Sequence, residues 1–154
     1  LGFALELLGR DLALQRRLRA EPSLLPDAIE EILRLGSPSQ VLVRTPAKDV
    51  EIGGRAVSEG EPVAMLFSAG NRDPEVFEDP DRFRLDRGQK RHLAFGHGIH
   101  KCAGAPLARL ELRVALEEFL ARTELWEVAG EVPHTRWPEY GPLALPLRVE
   151  ARRR

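Results

Sequence analysis

The chain has 154 residues, enough for one domain with one core. Apolar residues make up 43% and charged residues 31%, with 23 Lys and Arg against 24 Asp and Glu, so the composition reads as soluble and globular and carries no global field of a nucleic-acid binder. A single cysteine excludes an internal disulfide and fits a reducing compartment, read as the cytoplasm; no apolar run approaches the roughly 20 residues of a membrane span, and the first residues lack the basic start and cleavage site of a signal peptide.

Residues 1 to 19 read as one amphipathic helix, with Leu1, Leu5, Leu8 and Leu12 at helical spacing and an Arg-rich end suited to a helix C-terminus. The chain opens without methionine, directly inside this pattern, which predicts a piece of a longer protein. "AEPSLLP" breaks the helix, and a second runs from about Pro26 to Leu35, with Asp27 and Glu30 near its positive end. "QVLVRT" reads as a strand, "DVEIGGRAV" as a hairpin with a Gly-Gly turn, and "EPVAMLFSAG" as either a third strand or a short helix. Residues 71 to 94 are rich in Pro, Asp, Arg and Gly without periodicity, a length that points to a functional loop. A third helix is expected from about Ala103 to Thr123. Its stripe of Ala105, Ala108, Leu112, Ala115, Leu116 and Phe119, widened by Leu107, Leu110 and Val114, predicts that most of it is buried. The tail reads as short strands around a Pro/Gly-rich turn.

The only cysteine lies in "FGHGIHKCAG", residues 95 to 104, one or two residues before the third predicted helix. A helix N-terminus, with its free N–H groups and positive dipole end, favours thiolate. Gly96, Gly98 and Gly104 permit backbone geometries and close approaches that a side chain would block. The peptide is shaped to present a thiolate to something large and flat. Four uses stay open on these residues alone: a small buried cysteine, a metal site from His92, His97, His100 and Cys102, an axial thiolate to haem iron, and a Cys-His nucleophile pair with His100.

The same ten residues resemble the cysteine-ligand loop of the cytochrome P-450 family, Phe-Gly-x-Gly-x-His-x-Cys-x-Gly in bacterial members, with every fixed position matched. Ala103 stands where many members have Leu. The resemblance continues in family order: "EEILR" holds a Glu-x-x-Arg, Glu31 and Arg34; "SPSQVLVRT" ends near Arg44; "GNRDPEVFEDPDRFRLDR" resembles the Asn-Arg-Asp-Pro and Asp-Pro-x-x-Phe stretch; "LARLEL" continues the loop.

The resemblance implies that Cys102 is the iron ligand of haem b, with Phe95 packed near the sulfur and limiting solvent access. His100 and Arg44 would each meet a haem propionate. Glu31 and Arg34, alone a surface pair of little value, become part of a buried network completed by Arg82 or Arg87. Substrate contacts would come from Val41, Leu42 and Val43 and from a turn around Trp137 to Gly141, including Tyr140; core packing predicts the same residues. Lys90, Arg91, Lys101, Arg109 and Arg113 would form a basic cysteine-side face for a ferredoxin or flavodoxin-type electron donor, or simply a solvated face.

The expected fold is mainly α with a small antiparallel β-sheet, the C-terminal portion of the cytochrome P-450 fold. Residues 1–154 would be the haem-ligand part of one larger domain. The distal Ala-Gly-x-x-Thr-type helix and the N-terminal helices are missing from the match, so the fragment alone would be inactive. The implied parent activity is haem-thiolate monooxygenation of a small apolar substrate, with O2 and two electrons from a redox partner. The alternative is a non-catalytic haem-binding or truncated relative.

Overall fold

Two short helices, not one, open the chain. The computed structural model describes residues 1–88, 91–135 and 137–152, and in it α1 (Gly2–Arg10) and α2 (Leu12–Ala20) are separated at Asp11, whose backbone (φ −117°, ψ 83°) leaves the helical region. The Asp11 carboxylate accepts the Leu14 N–H at 2.9 Å and caps α2. The leucine period continues across the break, which is why it reads as one helix; the local side-chain-to-backbone bond of the aspartate decides otherwise.

A 3-10 turn (Pro22–Leu24) leads into α3 (Leu25–Gly36), within one residue of the expected span at each end. Helix α3 stops where Ser37 adopts a left-handed conformation (φ 37°, ψ 67°) and donates its N–H to Leu33 and its hydroxyl to the Arg34 carbonyl. Strand β1 (Val41–Arg44) follows; β2 (Val50–Ile52) and β3 (Arg55–Val57) flank Gly53 and Gly54, both at positive φ (58° and 79°), as a two-residue primed turn requires. The segment read as strand or helix is both: β4 (Val63–Leu66), then α4 (Phe67–Gly70). After a long irregular stretch come α5 (Ala105–Arg122), β5 (Thr123–Val128) and β6 (Leu147–Ala151). The expected small sheet is three separate antiparallel ribbons, β1–β4, β2–β3 and β5–β6.

The core lies where α1, α2, α3 and α5 meet β5. Leu8, Leu18, Ala28 and Leu116 pack there around Trp126, which is fully buried. The Trp126 indole N–H donates to the Leu5 carbonyl at 2.9 Å. Gln15, also fully buried, donates to the Leu8 and Trp126 carbonyls and accepts the Trp126 N–H, so its whole amide is satisfied.

Helix α5 departs from expectation. Only Ala105, Leu116 and Leu120 are buried, and Leu107, Leu110 and Val114 are about half exposed. The wide stripe is apolar by sequence, but the residues present cover one edge of it. Among the described residues no helix is long and apolar enough to cross a membrane.

Candidate functional site

The cysteine peptide closes on itself before α5 begins. Gly96 N–H donates to Leu93 O at 2.8 Å, Lys101 N–H to Gly98 O at 3.1 Å, and Cys102 N–H to Phe95 O at 2.9 Å. A single 3-10 turn (Gly98–His100) lies inside this closure. Gly96 and Gly98 sit at φ 68° and 69°, where a side chain is strained. Gly104 does not share that role: its φ is −81°, and a Cβ there would meet the Cys102 sulfur at 3.7 Å, ordinary contact. Helix α5 starts at Ala105, so Cys102 stands three residues before it, one more than the sequence reading allowed, with its carbonyl accepting the Ala105 N–H.

Cys102 is exposed and lines a cleft of about 970 Å3. The cysteine loop supplies one wall with Phe95, Gly96, His97 and His100; α5 supplies Ala108, Leu112 and Ala115; β1 and β4 supply Leu42, Arg44 and Met65. The walls are mainly apolar, and the titratable side chains that join Cys102 among them are Arg44, His97, His100 and the carboxylate of Glu111. Among the described residues Arg44 reaches no acid; its Nη1 donates to the Val43 carbonyl at 3.0 Å.

Three of the four uses of the cysteine lose their footing here. The sulfur is not buried. His92 turns away from it: Nε2 meets Glu30 at 3.1 Å and Nδ1 accepts the Ala94 N–H at 3.2 Å. Among the described residues no three His, Cys, Asp or Glu side chains are grouped to hold a metal ion, and no hydrogen bond joins His100 to Cys102. What remains is a free sulfur facing a broad cleft. A soft sulfur donor among apolar walls, with Arg44 and two imidazoles also lining the cleft, is a donor set and cavity that fit a large flat macrocycle with a central iron.

Behind the cleft, Glu31, Arg34 and Arg87 form a buried network, with side chains 5%, 2% and 6% exposed. Glu31 accepts from Arg34 Nε and Nη2 at 2.8 Å each, from Arg87 Nε at 2.7 Å and from the Arg84 N–H at 3.1 Å. Burial by itself would raise its carboxyl, but the hydrogen bonds from Arg34 and Arg87 outweigh burial and hold it below the ordinary glutamate range. Arg34 also donates to the Asn71 and Pro80 carbonyls, and Arg87 to those of Glu78, Asp79 and Arg82. Arg87 is the third arginine. Arg82 contributes only its carbonyl; its own side chain is 77% exposed beside Asp79.

The substrate-contact candidates separate. Leu42 lines the cleft, whereas Val41 is buried, Val43 is exposed, and neither lines it, as alternation along a strand dictates. Trp137 is 67% exposed and Tyr140 stacks on His134 at 5.1 Å; neither is part of the cleft wall. On the basic face, Arg109 is paired with Glu30 and Arg113 with Glu117, which removes much of their free charge; Lys101 is exposed, and Lys90 lies outside the described residues.

Sequence reasoning missed two constellations. Glu30 binds both His92 and Arg109. Asn71, fully buried, donates to Ser37 Oγ and accepts the Leu93 N–H, tying the start of the long irregular stretch to its end. No local spacing announces contacts across 62 or 79 residues.

Comparison with known proteins assigns the chain to a family of haem proteins. Residues 5–143 match the family model described as Cytochrome P450, and the chain belongs to that family. It is 45% identical over 130 residues to Cytochrome P450-SU2 of Streptomyces griseolus, covering 84% of this chain and 32% of that protein. It is 44% identical over 143 residues to the Mycinamicin IV hydroxylase/epoxidase of Micromonospora griseorubida, covering 87% and 35%. The crystal structure of CYP108D1 from Novosphingobium aromaticivorans superposes with a TM-score of 0.92 at 39% identity, over 98% of this chain and 37% of that one. The chain thus spans about a third of the length of the curated relatives it matches. Its helices with small antiparallel ribbons are a portion of the cytochrome P450 fold, and the family implies a haem cofactor.

Proposed function

We propose that residues 1–154 form the cysteine-bearing, C-terminal portion of a single larger haem-thiolate monooxygenase domain, acting in the reducing cytoplasm. The observation that carries this reading is the exposed Cys102 at the wall of a broad, mainly apolar cleft, flanked by Arg44 and His100. In this reading Cys102 ligates the iron of haem b. Arg44 and His100 line the cleft and would each meet a propionate, Arg44 through its planar fork. Phe95 walls the sulfur side and limits water. Gly96 and Gly98 let the loop turn tightly around the residues that would hold the haem. The bound haem supplies the oxygen chemistry, inserting one atom of O2 into an apolar substrate with two electrons from a partner. The chain's own share is to hold the sulfur, exclude water and contribute Leu42 and its neighbours to the apolar wall. A ferredoxin or flavodoxin-type donor would dock on the cysteine side, where Lys101 and Arg91 are exposed and Arg109 and Arg113 are paired with Glu30 and Glu117.

The test is a spectrum of the full-length protein carrying this chain, reduced and exposed to CO. A strongly red-shifted Soret band, lost in Cys102→Ser, is expected. Haem binding without that band, or no haem at all, would overturn the assignment.

A further inference from the structure

Helix α3 carries two adjacent carboxylates that serve different segments. Glu31 holds the stretch from Glu78 to Arg87, through the network described above. Glu30 holds the cysteine peptide by both ends. Its Oε1 accepts from Arg109 Nε at 2.6 Å and its Oε2 from Arg109 Nη2 at 2.8 Å, a bidentate fork. Oε2 also faces His92 Nε2 at 3.1 Å. The tautomer follows from the other nitrogen: the Ala94 N–H donates to Nδ1, so Nε2 carries the proton and donates to Glu30. His92 lies ten residues before Cys102 and Arg109 seven after it.

The contacts run on to the sulfur. The Arg109 guanidinium lies 4.6 Å from the Phe95 ring centroid, and the Phe95 carbonyl accepts the Cys102 N–H at 2.9 Å. Between its two ends the loop is held by its own three backbone hydrogen bonds and by Phe95 against the core, while residues 97–104 are exposed. It contains two positive-φ glycines and one 3-10 turn, and Ile99 at its tip is 96% exposed. A segment with so few buried contacts opens at low free energy unless its ends are fixed. His92 is fixed: its side chain is 2% exposed.

We propose that Glu30 is a positioning residue for Cys102: with His92 and Arg109 it clamps both ends of the cysteine peptide and keeps the sulfur in ligating position. This rests on the haem-thiolate reading above. Glu31 cannot substitute, because its side-chain partners are Arg34, Arg87 and the Arg84 N–H, none of them in the cysteine peptide. Burial by itself would raise the Glu30 carboxyl, but the hydrogen bonds from Arg109 and His92 outweigh it and hold the group at about 2, so the clamp is charged at neutral pH.

The test uses the full-length haem-loaded protein and follows decay of the red-shifted Soret band of its reduced CO complex. His92→Leu removes one arm of the clamp without stranding a buried charge. His92→Gln returns an amide N–H close to the position of Nε2. Glu6→Gln is the control: Glu6 is a buried, paired carboxylate whose partners, Arg10 and His134, lie outside the cysteine loop. His92→Leu should speed the decay about tenfold, the scale of a lost hydrogen bond to a charged group. His92→Gln should recover most of the wild-type rate, and Glu6→Gln should match wild type. Decay in His92→Leu at the wild-type rate, equal acceleration in all three variants, or no rescue by glutamine would overturn the clamp while leaving the thiolate assignment intact. A wild-type protein without the red-shifted band would instead defeat the haem reading itself, and the clamp with it. If His92→Leu yields no holoprotein, Arg109→Lys takes its place: it keeps the charge but loses the fork, and an unchanged decay rate there is equally fatal.

Discussion

Glu31 takes hydrogen bonds from two guanidinium groups and one backbone N–H in a site almost sealed from water. A network of this kind adds little net stability against an apolar replacement, yet losing one member leaves charge buried without a partner. Glu31→Ala strands Arg34 and Arg87 together and is expected to cost about 3–5 kcal/mol, enough to abolish folding or haem retention. Arg82→Ala removes a side chain that is mostly in solvent and should change stability by less than about 0.5 kcal/mol. Denaturant titration with haem content checks both. Full haem content in Glu31→Ala, or equal losses in the two variants, would show that the buried charges are not what holds this stretch. Two arginines in one loop look alike in a sequence; only burial separates Arg87 from Arg82.

At the scale of elements, most boundaries follow local chemistry. Gly53-Gly54 makes the hairpin turn because both positions need positive φ. The α1–α2 break is equally local, but the apolar period hides it. Asp11→Ala removes the side-chain bond to Leu14 and should lower stability by about 1 kcal/mol. Urea unfolding should show a lower midpoint with an unchanged slope, and no shift would mean the break is set by packing alone. Helix α5 teaches the opposite lesson. Its apolar residues circle more of the helix than the described structure covers, so Leu107, Leu110 and Val114 remain about half exposed although the pattern predicts burial. Periodicity reports which face is apolar, not what lies against it.

For the molecule as a whole, two carboxylates on α3 pin the long irregular stretch and the cysteine loop to the helical core. Both are held below the ordinary glutamate value, so the stability they lend is present above the unfolded-state value, about 4.5, and is lost as pH falls through the folded-state values. For Glu30 that window runs from about 4.5 down to about 2. Acid titration should therefore loosen these two segments before the Trp126 core. Glu30→Gln should flatten the acid limb across this window, as read by amide exchange in residues 92–102 against residues 123–128. Uniform loss of protection across both regions would refute the idea that α3 anchors them separately.

The chain's own letters determined a good deal: the helix around Glu31, the Gly-Gly hairpin, the helix after Cys102, and the family, through glycines and a cysteine whose spacing answers to local backbone geometry. Tertiary structure alone decided that Arg87 and not Arg82 joins Glu31, that Leu42 faces the cleft while Val41 does not, and that Glu30 binds His92 and Arg109. The physical reason is range. Turns, caps and helix periods are fixed by neighbours a few residues apart, whereas a buried charge chooses its partner by which distant side chain the packed core brings within about 3 Å.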